Sequence, residues 1–487
     1  NAKPDLVWLK EKSSTSDHGL WNSVMGQSEY NSSNATQGHY DTTTEFTSFD
    51  YNGFTLGNNT MTNQSGQTYV AWCWKAGGDK NTFNIDHVGY STAGDVNMSV
   101  GDLNGTAFNT SAIWSGMMSG PSNSGVYTNL FDGTDGPSGG YEQPTNGNTL
   151  TFTPTGGITA STSIEIYVFQ SADTYSSSAD ITVNGKSIKT TAVNSTLGTG
   201  SAYGYVNIGT KSLTTLTWSN PSGSNNDYRL MAIRVDGKIL LDSNQTAPNV
   251  PTIDATGCSV GTKQGFSIIK YTGTGTAGSI AHGLSEQPTF VMIKDLKNSN
   301  SWAVQHVGTT LGRGLLKLDT TAASDNSVAT QVWNSTSPSS YVFHVGTAGD
   351  VNYTTNSAEY IAYLWHDVPG LQKFGSYEGN EDTGGDGPFV ELGFRPAIIW
   401  IKNSEQGTSA ADWVIYDSER NKFNPSGKQL YPNRNIAEAD DSNHQFDILS
   451  NGFKVRSTST SDLTNATDTY IYCAWAAAPS VDLFGGG

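Results

Sequence analysis

The residues best placed by type and spacing to do chemistry sit on a glycine-bent loop. Phe131-Asp132-Gly133-Thr134-Asp135-Gly136 offers the side-chain oxygens of Asp132 and Asp135. Hard divalent ions such as Ca2+ collect six or more oxygens from loops of this kind. The loop lacks the terminal Glu of a complete helix–loop–helix calcium site, and an Asp-initiated turn accounts for the same residues. Calcium is therefore the one cofactor left open, with Asp132 and Asp135 as its metal ligands, and no other cofactor is expected. Tyr141 and Arg229 complete a candidate ligand site with the two aspartates. A ring can cover the apolar face of a sugar while Arg and Asp fix its hydroxyls. Tyr175 and Tyr228 are further loop aromatics free to stack on a ligand.

Catalytic patterns are weaker. Gly136-Pro137-Ser138-Gly139-Gly140 has the spacing of a hydrolase nucleophile elbow but not its flanking strand and helix. Carboxylates cluster at Glu378, Glu381, Asp382 and Asp386, and at Glu438, Asp440 and Asp441. A glycoside hydrolase needs two carboxylates at a set separation, usually from different strands. These acidic runs read better as solvated loops. The histidines are scattered, with His306 on a strand and His366 just after one, and both read as structural. Cys73, Cys258 and Cys473 are too few and too far apart for a disulfide framework or a zinc site. The expectation is that the protein is not an enzyme and has no catalytic residues.

Only 14% of the residues are charged, 11% are aromatic, and Gly, Ser, Thr and Asn fill the difference. Such residues are poor helix formers but suit short strands and turns. The aromatics argue against disorder, because they can build a core. The net charge of -18 repels phosphate backbones and so argues against nucleic-acid binding. The given residues show no signal-peptide pattern and no apolar run of membrane-spanning length. Neither Asn1-Ala2-Lys3-Pro4 nor Leu483-Phe484-Gly485-Gly486-Gly487 reads as a natural terminus.

The elements that must hold these residues follow an internal repeat. Pro4-Asp5-Leu6-Val7-Trp8-Leu9-Lys10, Pro288-Thr289-Phe290-Val291-Met292-Ile293-Lys294 and Pro396-Ala397-Ile398-Ile399-Trp400-Ile401-Lys402 are three versions of one strand. Pro sits at its entrance, where a missing N–H does no harm, and the apolar run is buried on both faces. A second strand follows at Asp17–Ser23, Ser301–His306 and Asp412–Ser418. Asn52-Gly53-Phe54 and Asn451-Gly452-Phe453 mark hairpins. Each copy closes on an aromatic strand that aligns Tyr69, Tyr360 and Tyr470, and Trp74, Trp365 and Trp475. These residues are expected to be core. Copies two and three also have an opening strand, at Gly265–Gly273 and Lys373–Asn380; copy one starts too late to contain its own, so its sheet is expected to lack that strand or to draw it from upstream of the first residue. The resulting bare edge needs cover, and a neighbouring chain could supply it.

Prolines 288 and 396 are 108 residues apart, but prolines 4 and 288 are 284 apart, so roughly 176 residues are inserted. Strands spaced by Gly-, Asn- and Ser-rich turns make the insertion a β-sandwich. The expected organisation is all-β: three homologous sandwich-like modules in tandem, with a separate β-sandwich between the first and second. The boundaries are module one at 1–96, the insertion at 97–250, module two at 251–372 and module three at 373–487.

The repeat resembles a module of structural and tail-fibre-type proteins of marine bacteriophages, including cyanophages. The resemblance is carried by Gly265–Gly273, by His282-Gly283-Leu284 before Pro288, by Ala411–Asp417 and by Tyr69–Gly78. The insertion is similar to galactose-binding-like jelly rolls through Asn129–Gly133, Ile164–Tyr167 and Met231–Asp236. The resemblance implies a virion protein, a fibre or spike subunit on the tail or capsid surface that attaches to the host without catalysis. It implies a homo-oligomer, most simply a trimer, with other virion proteins and a host-surface glycan or receptor as partners and no membrane insertion. The alternatives are a polysaccharide-depolymerase tailspike, a capsid-attached fibre or a bacterial carbohydrate-binding surface protein.

Overall fold

A computed structural model describes residues 3–42, 44–93, 112–134, 140–170, 179–198, 202–220, 228–243 and 251–477. They form an almost entirely β structure in two compact units, one built from residues 1–93 with 253–487 and the other from 94–252. No helix among the described residues is long and apolar enough to cross a membrane.

In the first unit the three proline strands, Leu6–Glu11, Phe290–Asp295 and Pro396–Asn403, take the same place in three sheets. Each lies between a closing strand and a second strand in one register. Leu6 faces Trp74 and Asn22, Phe290 faces Trp365 and His306, and Ile398 faces Trp475 and Asp417. Opening strands Phe266–Thr272 and Gln372–Glu378 complete the second and third sheets beyond the closing strands. In the first sheet the closing strand Tyr69–Trp74 pairs only with the proline strand among the described residues. The following strand, Phe83–Ile85, read from the sequence as part of module one, instead lies parallel to Ala255–Gly261 and extends the second sheet.

The outer face of each sheet is covered by a small hairpin or sheet: Phe46–Asp50 with Gly53–Leu56, Gly278–Ala281 with Val342–Val345, and Phe389–Glu391 with Gly452–Val455 and Phe446–Leu449. The inner faces meet in one core containing Trp8, Trp74, Trp365, Trp400 and Trp475. The aligned Trp74, Trp365 and Trp475 contact one another edge to face, with centroids 5.4, 6.0 and 6.3 Å apart and ring planes 69–72° apart. Aromatic quadrupoles favour this arrangement over face-to-face stacking.

Hydrogen bonds between the sheets run in one rotational sense. Asn22 Nδ2 donates to Tyr363 OH at 2.9 Å, His306 Nε2 to the Tyr472 carbonyl at 3.1 Å, and Trp72 Nε1 to Asp417 Oδ2 at 3.1 Å. Sheet one thus meets sheet two, two meets three, and three meets one, through the register-equivalent Asn22, His306 and Asp417. The three sheets are therefore not separate bodies strung in tandem. An aromatic inner face on each sheet is best buried against the other two. One aligned residue departs from the core pattern: Tyr360 and Tyr470 are fully buried, whereas Tyr69 is half-buried, on the strand that pairs on one side only among the described residues.

The second unit is a two-sheet sandwich. Met118–Ser119, Asn148–Phe152, Leu216–Asn220, Asp180–Val183 and Lys186–Ser187 form one sheet, and Ala202–Asn207, Ile164–Gln170, Arg229–Val235 and Lys238–Ile239 the other. Alternate residues such as Leu150, Phe152, Ile166, Val168, Ile181 and Trp218 fill the core between them. Asp236 and Gly237, both at positive φ (52° and 81°), turn the last hairpin, as a tight two-residue connection requires.

Candidate functional site

In the sandwich, strand Ile164–Gln170 alternates inward Ile164, Ile166 and Val168 with outward Glu165, Tyr167 and Phe169. A solvent-facing sheet surface is usually polar; here it is aromatic. Phe169 packs against Tyr203 at 4.5 Å and Tyr167 against Tyr205 at 4.9 Å, across the pairing of their strands. The strand on the other side contributes two arginines. The Arg229 guanidinium lies 4.6 Å from the Tyr141 ring centre and 5.1 Å from that of Phe169. The Arg234 guanidinium lies 3.6 Å from the Tyr205 ring centre, and its Nε pairs with Glu165 at 2.6 Å. Cation–π contacts of this kind hold the arginines against the rings. Tyr203 and Tyr141 remain 43% and 36% exposed, which leaves ring faces open to a ligand.

The structure brings together two of the four residues singled out in the sequence. Tyr141 meets Arg229 because Glu142 bridges Leu230 in the strand Arg229–Val235. Asp132 instead bridges Leu241, and its Oδ1 accepts from the backbone N–H (2.8 Å) and Oγ1 (2.6 Å) of Thr134. It caps its own turn. Asp135 and Ser138 lie outside the described residues, as does Tyr175. Tyr228 is not a free loop aromatic: it is 3% exposed and belongs to the sandwich core. Phe169, Tyr203, Tyr167, Tyr205 and Arg234 were missed in the sequence, although aromatic residues at the outward positions of Ile164–Gln170 and Ala202–Asn207 were the available signal.

Elsewhere, reactive groups are engaged in structure. Asp382 Oδ1 accepts from the N–H groups of Gly384 and Asp386, Asp386 pairs with Lys454, and Glu438 with Arg420. His306 Nδ1 accepts from Gly308 N–H, and His282 joins the Ser339 carbonyl to the Leu284 N–H. Glu142 is buried, which raises its pKa, and it is held by the hydroxyls of Ser122 and Ser124. Among the described residues one trio has metal-ligand spacing, Glu29, His39 and Asp41.

The lysines that end the three proline strands, Lys10, Lys294 and Lys402, are fully buried. Their ammonium groups donate to the carbonyls of Ser14, Thr36 and Gln406 at 3.2, 2.8 and 3.4 Å. Burial lowers each pKa to about 8 from 10.5. The unfolded chain therefore binds more protons between pH 8 and 10.5, so these lysines make stability rise with pH there. Burial also raises the Cys258 thiol to about 12 from 9.0 and the Tyr360 phenol above its ordinary 10.0. Both groups reverse the trend once their unfolded counterparts ionise. On the acid side, burial lowers His306 to about 3 and His282 to about 4 from 6.5, so stability falls as pH drops through 6.5. Thermal melts should show the midpoint rising between about pH 8 and 9 and falling above about pH 10. A steady decline from pH 7 to 9 would contradict the burial of these lysines, and Lys402→Met should flatten the rise.

A family described as Domain of unknown function (DUF7483) matches residues 1–122 and 240–479. The chain belongs to this family. The DUF7483 match breaks over 123–239, wholly inside the sandwich unit, so the aromatic face lies in a stretch that the family description does not cover. No curated protein and no solved structure matches the chain.

Proposed function

We propose that this DUF7483 chain is a non-catalytic binding subunit of a virion surface, a fibre or spike component whose inserted sandwich contacts a host-surface glycan. The observation that carries this reading is the outward aromatic face of the sandwich, Tyr141, Phe169 and Tyr203 around Arg229. Flat rings beside a guanidinium fit a sugar, with apolar C–H faces against the rings and hydroxyls against the N–H donors. The guanidinium of Arg229 lies against two of these rings, which brings its charge to the aromatic face. The virion setting rests on the resemblance of the repeat motifs to marine-phage fibre modules. The acidic surface suits a particle exposed to salty water, where charge repulsion is screened.

The test is incubation of the purified protein with a panel of bacterial capsular polysaccharides and lipopolysaccharides. Binding without release of oligosaccharide is the expected result. Release of reducing ends would favour a depolymerase and overturn the non-catalytic reading.

A further inference from the structure

One group of metal-ligating side chains serves neither the aromatic face nor the shared core. It lies on the first sheet, where strands Gly26–Asn31 and Tyr40–Asp41 pair antiparallel with Glu29 opposite Asp41 and Tyr30 opposite Tyr40. Successive side chains of a strand point to opposite faces. Tyr30 and Tyr40 share one face, where their rings stack with centres 5.0 Å apart and Tyr30 also stacks on Trp21. Glu29 and Asp41 share the other face, and His39, two residues before Asp41, joins them. One nitrogen or oxygen from each of the three lies within 4.8 Å of the other two. The stacked rings behind them fix the strand pair that carries the carboxylates.

The imidazole is oriented from outside the trio. His39 Nδ1 lies 2.5 Å from the carbonyl oxygen of Leu296, just past the proline strand of the second sheet. A carbonyl only accepts, so Nδ1 carries the hydrogen and Nε2 is turned to the carboxylates, 3.4 Å from Asp41 Oδ1. Histidines that bind metals are held in this way, one ring nitrogen donating to a carbonyl while the other coordinates. A proton on Nε2 would satisfy Asp41 alone. Glu29 has no ion-pair partner among the described residues and sits directly opposite a like charge, an arrangement that destabilises a strand pair. A divalent cation held by all three donors reverses that repulsion.

We propose that Glu29, His39 and Asp41 bind one divalent transition-metal ion of the Zn2+ type. The imidazole nitrogen disfavours Ca2+ and Mg2+, which take oxygen donors, and suits Zn2+. The His39 and Asp41 side chains are 20% and 88% exposed, so the ion enters from solvent and water completes its coordination. Because His39 also bonds Leu296, the ion ties the outer strands of the first sheet to the second sheet.

The test uses the full chain, freed of metal by a chelator and titrated calorimetrically with ZnCl2. Binding of one ion per chain is the expected result, with a melting midpoint that rises with Zn2+ concentration. Glu29→Gln and His39→Ala should each weaken Zn2+ binding by about a hundredfold or more, beyond the usual cost of altering an outer-shell partner. His87→Ala, at a histidine outside the trio, should bind as the wild type does. Without metal, Glu29→Gln should melt no lower than the wild type, since it removes a like-charge contact; it therefore remains decisive if His39→Ala, which also loses the Leu296 bond, folds poorly. Undiminished Zn2+ binding by Glu29→Gln would overturn the proposal. So would the absence of one-to-one binding by the wild type, or displacement of Zn2+ by an equal concentration of Ca2+.

Discussion

Trp475→Ala should destabilise the three-sheet unit by about 3–5 kcal/mol, the range for truncating a buried aromatic. Trp475 is 3% exposed and contacts Trp74, Trp365, Trp400 and Phe374. It therefore touches a ring from all three sheets, and its loss leaves a cavity where no single sheet can collapse to fill it. The same substitution at Trp218, in the sandwich core, should lower the stability of the other unit instead. Denaturant unfolding of both variants distinguishes the cases. A cost below about 1 kcal/mol for Trp475→Ala, typical of surface changes, would mean that the three sheets do not share a core.

Asp417→Ala should cost about 3 kcal/mol, because removing a shared buried acceptor leaves its donors without a partner. Arg420 and Asp417 have side chains only 3% and 4% exposed, with Nε to Oδ2 at 2.6 Å. Asp417 Oδ2 also accepts from Trp72 Nε1, and Oδ1 from the N–H groups of Glu419 and Arg420. The change therefore strands the Trp72 indole donor and Arg420 Nε, leaves Glu438 as the remaining carboxylate partner of Arg420, and loosens the contact between the third and first sheets. Glu419→Ala, which removes only an exposed pairing with Lys422, should change stability by less than about 1 kcal/mol. Equal effects from the two substitutions would contradict the account of how the sheets are joined.

The all-β class was legible in the sequence because short apolar runs separated by Gly, Asn and Ser leave few alternatives. The equivalence of Trp74, Trp365 and Trp475 was legible because Pro, Lys and Trp recur in a fixed order. How the three sheets assemble was not. Burial on both faces of Leu6–Glu11 signals a covered strand, but it does not say whether the cover comes from the same copy or from another. The hydrogen bonds that reveal the ring, such as Asn22 to Tyr363, join residues hundreds of positions apart. The candidate site was half legible. Loop chemistry drew attention to Asp132, whose oxygen serves its own turn, while Tyr141 and Arg229 did converge. The sheet face that joins them to Phe169 and Tyr203 depends on pairing between Ile164–Gln170 and Ala202–Asn207, whose register no local pattern sets.

The proposed glycan contact is through the aromatic face of the sandwich. The most direct measurement is the affinity of Tyr203→Ala for whichever bacterial surface polysaccharide of the panel binds the wild-type protein. The side chain is 43% exposed, so the fold and melting midpoint should stay unchanged. Losing one stacked ring should weaken binding about tenfold, equivalent to about 1.4 kcal/mol. Wild-type affinity in a correctly folded Tyr203→Ala protein, and in Arg229→Ala alongside it, would show that this face does not contact the ligand.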